Sequence, residues 1–335
     1  MRIFKLFLIA VLFTVPTAYT EAATLKIATM SPPGGAWMQR FEKAAKDVNQ
    51  KTDGRVAFKF YPGGVMGNDK TVLRKINLGQ LQGGAITIGS LMDAYPDIAL
   101  YSTFFKFRNQ AEVDAVRPIL DVALQKGLEE KGFISFGLAG GGFAYLLSNQ
   151  PIYVPEDLRG RKVWVPETDP KSAQMLVSMG LSTVPLGLGD VLTALQTGMV
   201  DTVANSPVGA IALQWHTGVK YMTKYPLIYI AAIMAVDKKS FDKLTPEDQT
   251  IVRQAMTAAF QDIDQQNRKD NDGALAALKN QGITVIEPTA AQAAEWYKTA
   301  ADVDGKSKTL YGFSTALIEK LNAALATYRA QYAAK

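Results

Sequence analysis

The 335-residue chain contains no cysteine and a single histidine, His216. Without cysteine there is no disulfide, no thiolate nucleophile and no sulfur-based metal site, so stability must come from the core alone. One histidine rules out metal clusters built on imidazole. It also makes any Ser–His–acid arrangement depend on His216, and there is no G-x-S-x-G elbow to present a serine. His216 reads as a polar residue at a helix end. Long apolar runs are missing too. Leu6–Val15 is too short to span a bilayer, and no later stretch reaches the length needed. Basic runs are scarce, Arg159-Gly-Arg-Lys162 being the longest, so nucleic acid is not an expected partner.

Nucleotide and metal motifs occur only as fragments. Gly187-Leu-Gly189 opens like a dinucleotide fingerprint but lacks the third glycine, and Gly305-Lys306-Ser307 lacks the upstream glycine of a P-loop. Asp302-Val-Asp304-Gly305 lacks the distal glutamate of a calcium loop. Glu167 and Asp169 form a carboxylate pair that reads as the solvated part of a loop. No catalytic residue, cofactor or metal is expected.

What is present is an exported globular chain. Hydrophobic residues make up 48% and charged residues 20%, a globular rather than a disordered balance. Arg2 and Lys5 precede the Leu6–Val15 run, and small residues follow as far as Ala22-Ala23. This is the pattern of a signal peptide over residues 1–23, cut near Ala22 or Ala23. Its removal takes away Arg2, Lys5 and Glu21 and lowers the formal charge from +5 to +4, which attracts anions only weakly.

The mature chain repeats one architecture. Thr24–Met30, a helix over 36–51, Arg55–Tyr61, a helix opened by Asn68-Asp69 and closed by Gly79, and Gly84–Gly89 read as βαβαβ. So do Lys162–Val165, Pro170–Met179, Leu181–Leu186, Asp190–Thr197 and Val200–Ala204. Such units give parallel sheets with ligands beyond the carboxyl ends of the strands. Two α/β lobes facing across a cleft are expected, with the site between them. Phe133–Asn149 reads as two short strands around a turn at Gly140-Gly-Gly142, and a helix is expected over 209–216. Leu227–Asp237 reads as a strand or strand pair crossing back to the first lobe. Thr245-Pro-Glu-Asp248 starts a helix that runs uninterrupted by proline to Asn280, about 50 Å long and longer than one lobe. Thr289-Ala-Ala-Gln292 is a capping box for a helix through Trp296, and amphipathic helix closes the chain from about Phe313.

Several phrases, in order from the mature start to Tyr221, resemble the substrate-binding proteins of TRAP (tripartite ATP-independent periplasmic) transporters, the DctP type. They are Ala28-Thr-Met-Ser-Pro-Pro33, Asn149-Gln-Pro-Ile152, Asp157-Leu-Arg-Gly-Arg-Lys-Val163 with Val165-Pro166, Val184-Pro185-Leu186, Leu195-Gln-Thr-Gly198 with Asp201, and Lys220-Tyr221. The resemblance implies a two-lobed periplasmic-binding-protein fold, type II-like, with a long helix spanning both lobes. It implies a periplasmic receptor, not an enzyme, that closes on a small organic acid and passes it to a membrane permease. A monomer is expected. The lobes are expected at 24–141 plus 231–270 and 142–230 plus 271–335. The rivals are an exported enzyme of the same shape and a receptor feeding a signalling partner.

The family's clamp arginine corresponds to Trp164, a second arginine to Ala144, and the glutamate before the retained Asn205 to Ala204. A bidentate arginine contributes charge and two donors, whereas tryptophan offers one N–H and an indole face. The departure points to a neutral, aromatic or cationic ligand, or to a carboxylate held by other donors. Ligand contacts are expected at Trp164 and Asn205, with Trp37, Phe143, Tyr145, Gln214 and Trp215 as further candidates. Phe104 and Phe105 are assigned to the core.

Overall fold

The computed structural model describes residues 22–332. The expected signal peptide, apart from Ala22 and Ala23, lies outside the described residues. The chain opens with β1 (Ala23–Thr29), α1 (Ala36–Lys51), β2 (Val56–Tyr61), α2 (Asp69–Asn77) and β3 (Gly83–Thr87). Helix α3 (Gln110–Glu130) and the short β4 (Phe133–Ile134) lead into β5 (Leu138–Ser148). The second unit is β6 (Lys162–Pro166), α4 (Pro170–Ser178), β7 (Ser182–Leu186), α5 (Val191–Thr197) and β8 (Thr202–Asn205). It is followed by α6 (Pro207–Ala212), β9 (Tyr221–Asp237), α7 (Lys238–Phe241), α8 (Pro246–Asn280), β10 (Thr284–Ile286), α9 (Ala290–Tyr311) and α10 (Thr315–Tyr332).

Helix starts follow the local chemistry. Asn68 Oδ1 accepts from the Thr71 N–H, Thr245 Oγ1 accepts from the Asp248 N–H, and Thr289 and Gln292 exchange the two bonds of a capping box. These bonds satisfy donors that the first helical turn leaves unpaired. The expected helix over 209–216 is instead α6, beginning at Pro207. Ser206 caps it by accepting from the Gly209 N–H. It ends before Gln214, whose φ of 58° breaks the helix, and a separate 3-10 turn covers Trp215–Gly218.

Both βαβαβ units are present, and the fold is the two-lobed α/β arrangement expected. Strands β2, β1 and β3 are parallel, and so are β8, β6 and β7. The halves are not separate sheets. The order β2-β1-β3-β9-β5-β8-β6-β7 is continuous, because β9 lies antiparallel to both β3 and β5 and β5 lies antiparallel to β8. The turn expected at Gly140–Gly142 is absent. β5 runs through the glycines, and its register against β9 shifts between Gly140 and Gly142 and again between Ala144 and Leu146. Such bulges bend a strand without ending it.

The long helix α8 covers the 35 residues Pro246–Asn280. Its first half packs Val252, Met256, Phe260 and Ile263 against Phe41 and Ile27 of the first lobe. Its last turns place Leu275 and Leu278 against Val191 and Trp215 of the second. The same inward stripe, continued at helical spacing, carries Asn267 and Asn271 in between. The hydrophobic face is therefore interrupted where the helix passes from one lobe to the other. Helix α10 packs along α3, where the Arg329 guanidinium donates to both oxygens of Glu112, a side chain only 3% exposed.

Candidate functional site

In sheets of this kind the carboxyl ends of the parallel strands are where backbone diverges and a ligand finds room. Asn205 ends β8, and its register partner on β5 is Tyr145. Directly paired residues of antiparallel strands present their side chains on one face, with Cβ atoms about 5 Å apart. Asn205 Oδ1 accepts from the Ser206 N–H at 2.8 Å, which fixes the amide and leaves its Nδ2 without an acceptor among the described residues. The amide rests over Gly209, where a Cβ would collide with it. Tyr145 is half-buried, and its hydroxyl likewise has no hydrogen-bond partner among the described residues. Burial, with a smaller contribution from Asp272, pushes that phenol above its ordinary value, so at neutral pH it remains a proton donor. Two neutral, uncommitted polar groups thus stand side by side at the carboxyl end of β8.

The other candidates are placed differently. Trp164 is 9% exposed. Its Nε1 donates to the Leu186 carbonyl at 3.1 Å, across the β6–β7 pair. Its ring meets the ring of Trp215 edge to face, with centroids 5.0 Å apart. Trp215 is buried in the same cluster as Val191, Leu195 and Val203. Phe143 is buried edge-on against Tyr229 at 5.2 Å. Gln214 is an exposed left-handed turn residue whose carbonyl accepts from the Thr217 side chain. Trp37, at the start of α1, donates through Nε1 to Asn267 Oδ1 at 3.0 Å. His216 holds Nδ1 3.2 Å from the Ala210 carbonyl. Among the seven, only Asn205 and Tyr145 are paired across strands with polar groups left unused.

A polar network behind the sheet was not anticipated. Asp264 Oδ1 accepts from the Gly140 N–H at 2.8 Å, Asn267 Nδ2 donates to the Gly140 carbonyl at 2.9 Å, and Asn271 Nδ2 donates to the Gly141 carbonyl at 3.0 Å. Glycine is required here for space: a Cβ on Gly140 would overlap the Tyr229 hydroxyl, and one on Gly142 would lie 2.6 Å from Asn271 Nδ2. Arg117 extends the network to Asp264 at 2.8 Å, Asp121 at 3.0 Å and the Leu138 carbonyl at 2.6 Å. Arg268 holds Asp114 with two bonds and Asp264 with a third. Burial alone would lower the Arg117 guanidinium, but Asp121 and Asp264 outweigh it and hold it more basic than usual. The signal for this network was in the sequence: two asparagines on the inward stripe of a long helix, where apolar residues belong.

A cavity of about 500 Å³ lies over this network, between α3 and α8, and one of about 250 Å³ lies under the α9–α10 corner. Neither is lined by any of the seven candidates. Among the described residues no group of three or more His, Asp or Glu is placed to hold a metal ion, and no helix is long and apolar enough to cross a membrane.

Residues 27–307 match the family described as bacterial extracellular solute-binding protein, family 7. The chain is similar to the C4-dicarboxylate-binding periplasmic protein DctP of Rhodobacter capsulatus, 25% identical over 288 residues that cover 84% of this chain and 85% of the relative. Among solved structures it is similar to a TRAP periplasmic solute-binding protein of Ochrobactrum anthropi whose C-terminus is bound in its ligand-binding pocket. That likeness has a TM-score of 0.81 and 26% identity, over 94% of this chain and 98% of the other. A TRAP periplasmic solute-binding protein of Ralstonia eutropha H16 with bound (S)-2-acetolactate superposes with a TM-score of 0.82, at 24% identity over 92% and 100% of the two chains.

Proposed function

The chain belongs to family 7 of the bacterial extracellular solute-binding proteins, receptors rather than enzymes, and we propose that it closes its two lobes on a small organic acid and delivers it to a TRAP membrane permease. The observation that carries the reading is the Tyr145–Asn205 pair. It supplies two uncharged donors at the carboxyl end of β8, while the indole N–H of Trp164 on the neighbouring β6 is already committed to Leu186. A carboxylate or hydroxyl oxygen is the natural partner of such donors. Organic acids are also what two of the similar proteins hold by name: C4-dicarboxylates in the Rhodobacter capsulatus protein and acetolactate in that of Ralstonia eutropha. With no arginine at positions 144 and 164, charge contributes less to recognition, and neutral hydroxylated analogues compete better than they would against a bidentate clamp.

In this reading the lobes are 24–141 plus 231–270 and 142–230 plus 271–335. The β5 bulge at Gly140–Gly142 and the polar break in α8 support a hinge there. The α10 contact with α3 ties the tail of the chain back to the first lobe. The receptor is taken to act as a monomer in the periplasm, exported by its signal peptide.

A thermal-shift screen of the mature protein over organic acids, uncharged polyols, amines and aromatic solutes tests this. Stabilisation grows as RT ln(1 + [L]/Kd), so an acid bound far below its test concentration raises Tm clearly. Tyr145→Phe and Asn205→Ala should each weaken that acid about ten-fold, the size of one hydrogen bond to a charged group. Stabilisation by amines or aromatics alone, with no acid active, would overturn the reading.

A further inference from the structure

Asn271 stands at one point between the two backbones that carry the proposed ligand donors. Its Nδ2 donates to the carbonyl of Gly141, the bulged residue of β5, at 3.0 Å. Tyr145 follows four residues later on the same strand. The Asn271 Oδ1 accepts from the Val208 N–H, a long bond at 3.4 Å, in the first turn of α6. Asn205 precedes that N–H by three residues. The second hydrogen of Nδ2 goes to the Asn267 carbonyl at 2.9 Å, so all of the amide is used. Asn267 repeats the arrangement one turn earlier, between the Gly140 carbonyl and the Trp37 indole of the first lobe. The amide orientations follow from the partners: the carbonyls only accept, and the Trp37 N–H and the Val208 N–H only donate.

We propose that Asn271, with Asn267, is a positioning residue for solute binding. It couples the angle of the hinge strand to the separation of Tyr145 and Asn205. The carboxamide does what an apolar side chain on the same stripe could not: it satisfies backbone groups that the bulge leaves unpaired and joins strand, helix and hinge at one side chain. Rotation of the lobes about Gly140–Gly142 changes the Gly141–Asn271–Val208 geometry, so the hinge and the ligand pair move together. This rests on the receptor reading for its consequence in binding, though not for the coupling of the hinge itself.

The test uses the absence of native cysteine. Spin labels on Lys70→Cys and Gln196→Cys, exposed positions on α2 and α5 in opposite lobes, report the interlobe distance distribution. It is measured with no solute in the wild type and in Asn271→Ala. The expected result is a broader, longer distribution in the variant. Affinity for the named probes, succinate and 2-acetolactate, should fall about five-fold, the size of one lost hydrogen bond. If the alanine variant does not fold, the isosteric Asn271→Asp, which removes both donors, and Asn267→Ala give the same reading. A distribution that matches the wild type, whatever happens to Tm, overturns the proposal, since a merely structural role would move Tm alone. A wild type that binds neither probe counts against the acid reading, and the solute-free distances still decide the hinge.

Discussion

Truncating Trp164 to alanine would open a hole beside Trp215 and release the Leu186 carbonyl. A loss of about 3–5 kcal/mol is expected for a buried aromatic of this size. Trp164→Phe keeps most of the volume and forfeits only the N–H bond, about 1 kcal/mol. Denaturant melts of the two variants separate packing from hydrogen bonding, and a Trp164→Phe variant as stable as the wild type would show that the Leu186 bond contributes nothing. The departure at position 164 was legible from residue type alone. That its indole is spent on packing was not, because the partner, Trp215, is reached only through the fold. A second residue-scale consequence concerns acid. Asp248 is held below the usual carboxylate range by the hydrogen bonds from Arg55. Asp114 is pushed up by burial, but its bonds from Arg268 and Gln110 prevail and hold it low as well. Folded values below unfolded ones stabilise the protein fully above the unfolded value, near 4, and that gain is lost as pH falls through the folded values. Tm should therefore drop as pH is taken from about 4 to about 2. Arg55→Met should make that part of the profile shallower.

At the scale of the element, α8 is the informative case. Its start, its length and its role as a link between lobes were all readable from Thr245-Pro246, acidic residues in the first turn and a run without proline. Its polar middle was not, because an inward asparagine is recognisable only when the strand it serves is in place. For β5 the reason is similar: three glycines in a row suit a turn, and only the crowding by Tyr229 and Asn271 shows why they sit within a strand. One glycine in α8 has no such reason. A Cβ at Gly273 meets nothing within 4 Å, while helical glycine costs about 1 kcal/mol relative to alanine. Gly273→Ala should therefore raise stability by up to that amount in chemical denaturation. A loss instead would show that the helix needs to deform at this point.

For the whole molecule the two-lobed reading suggests two melting units, yet the sheet argues otherwise. β9 supplies the partner of β3 in one lobe and of β10 in the other, and it pairs with β5 along nearly its whole length. Calorimetry of the solute-free protein should give one transition whose van't Hoff and calorimetric enthalpies agree. Two resolved transitions would mean that the lobes melt separately despite the shared strands. The sharing also sets an order of assembly. During synthesis β1, β2 and β3 emerge early, but the edge of β3 stays bare until Ala232–Val236 arrive to cover it. An uncovered strand edge is a template for pairing with other chains. A nascent chain of this topology therefore gains by staying unfolded until it is nearly complete, which is the same condition that passage across a membrane as an extended thread would require.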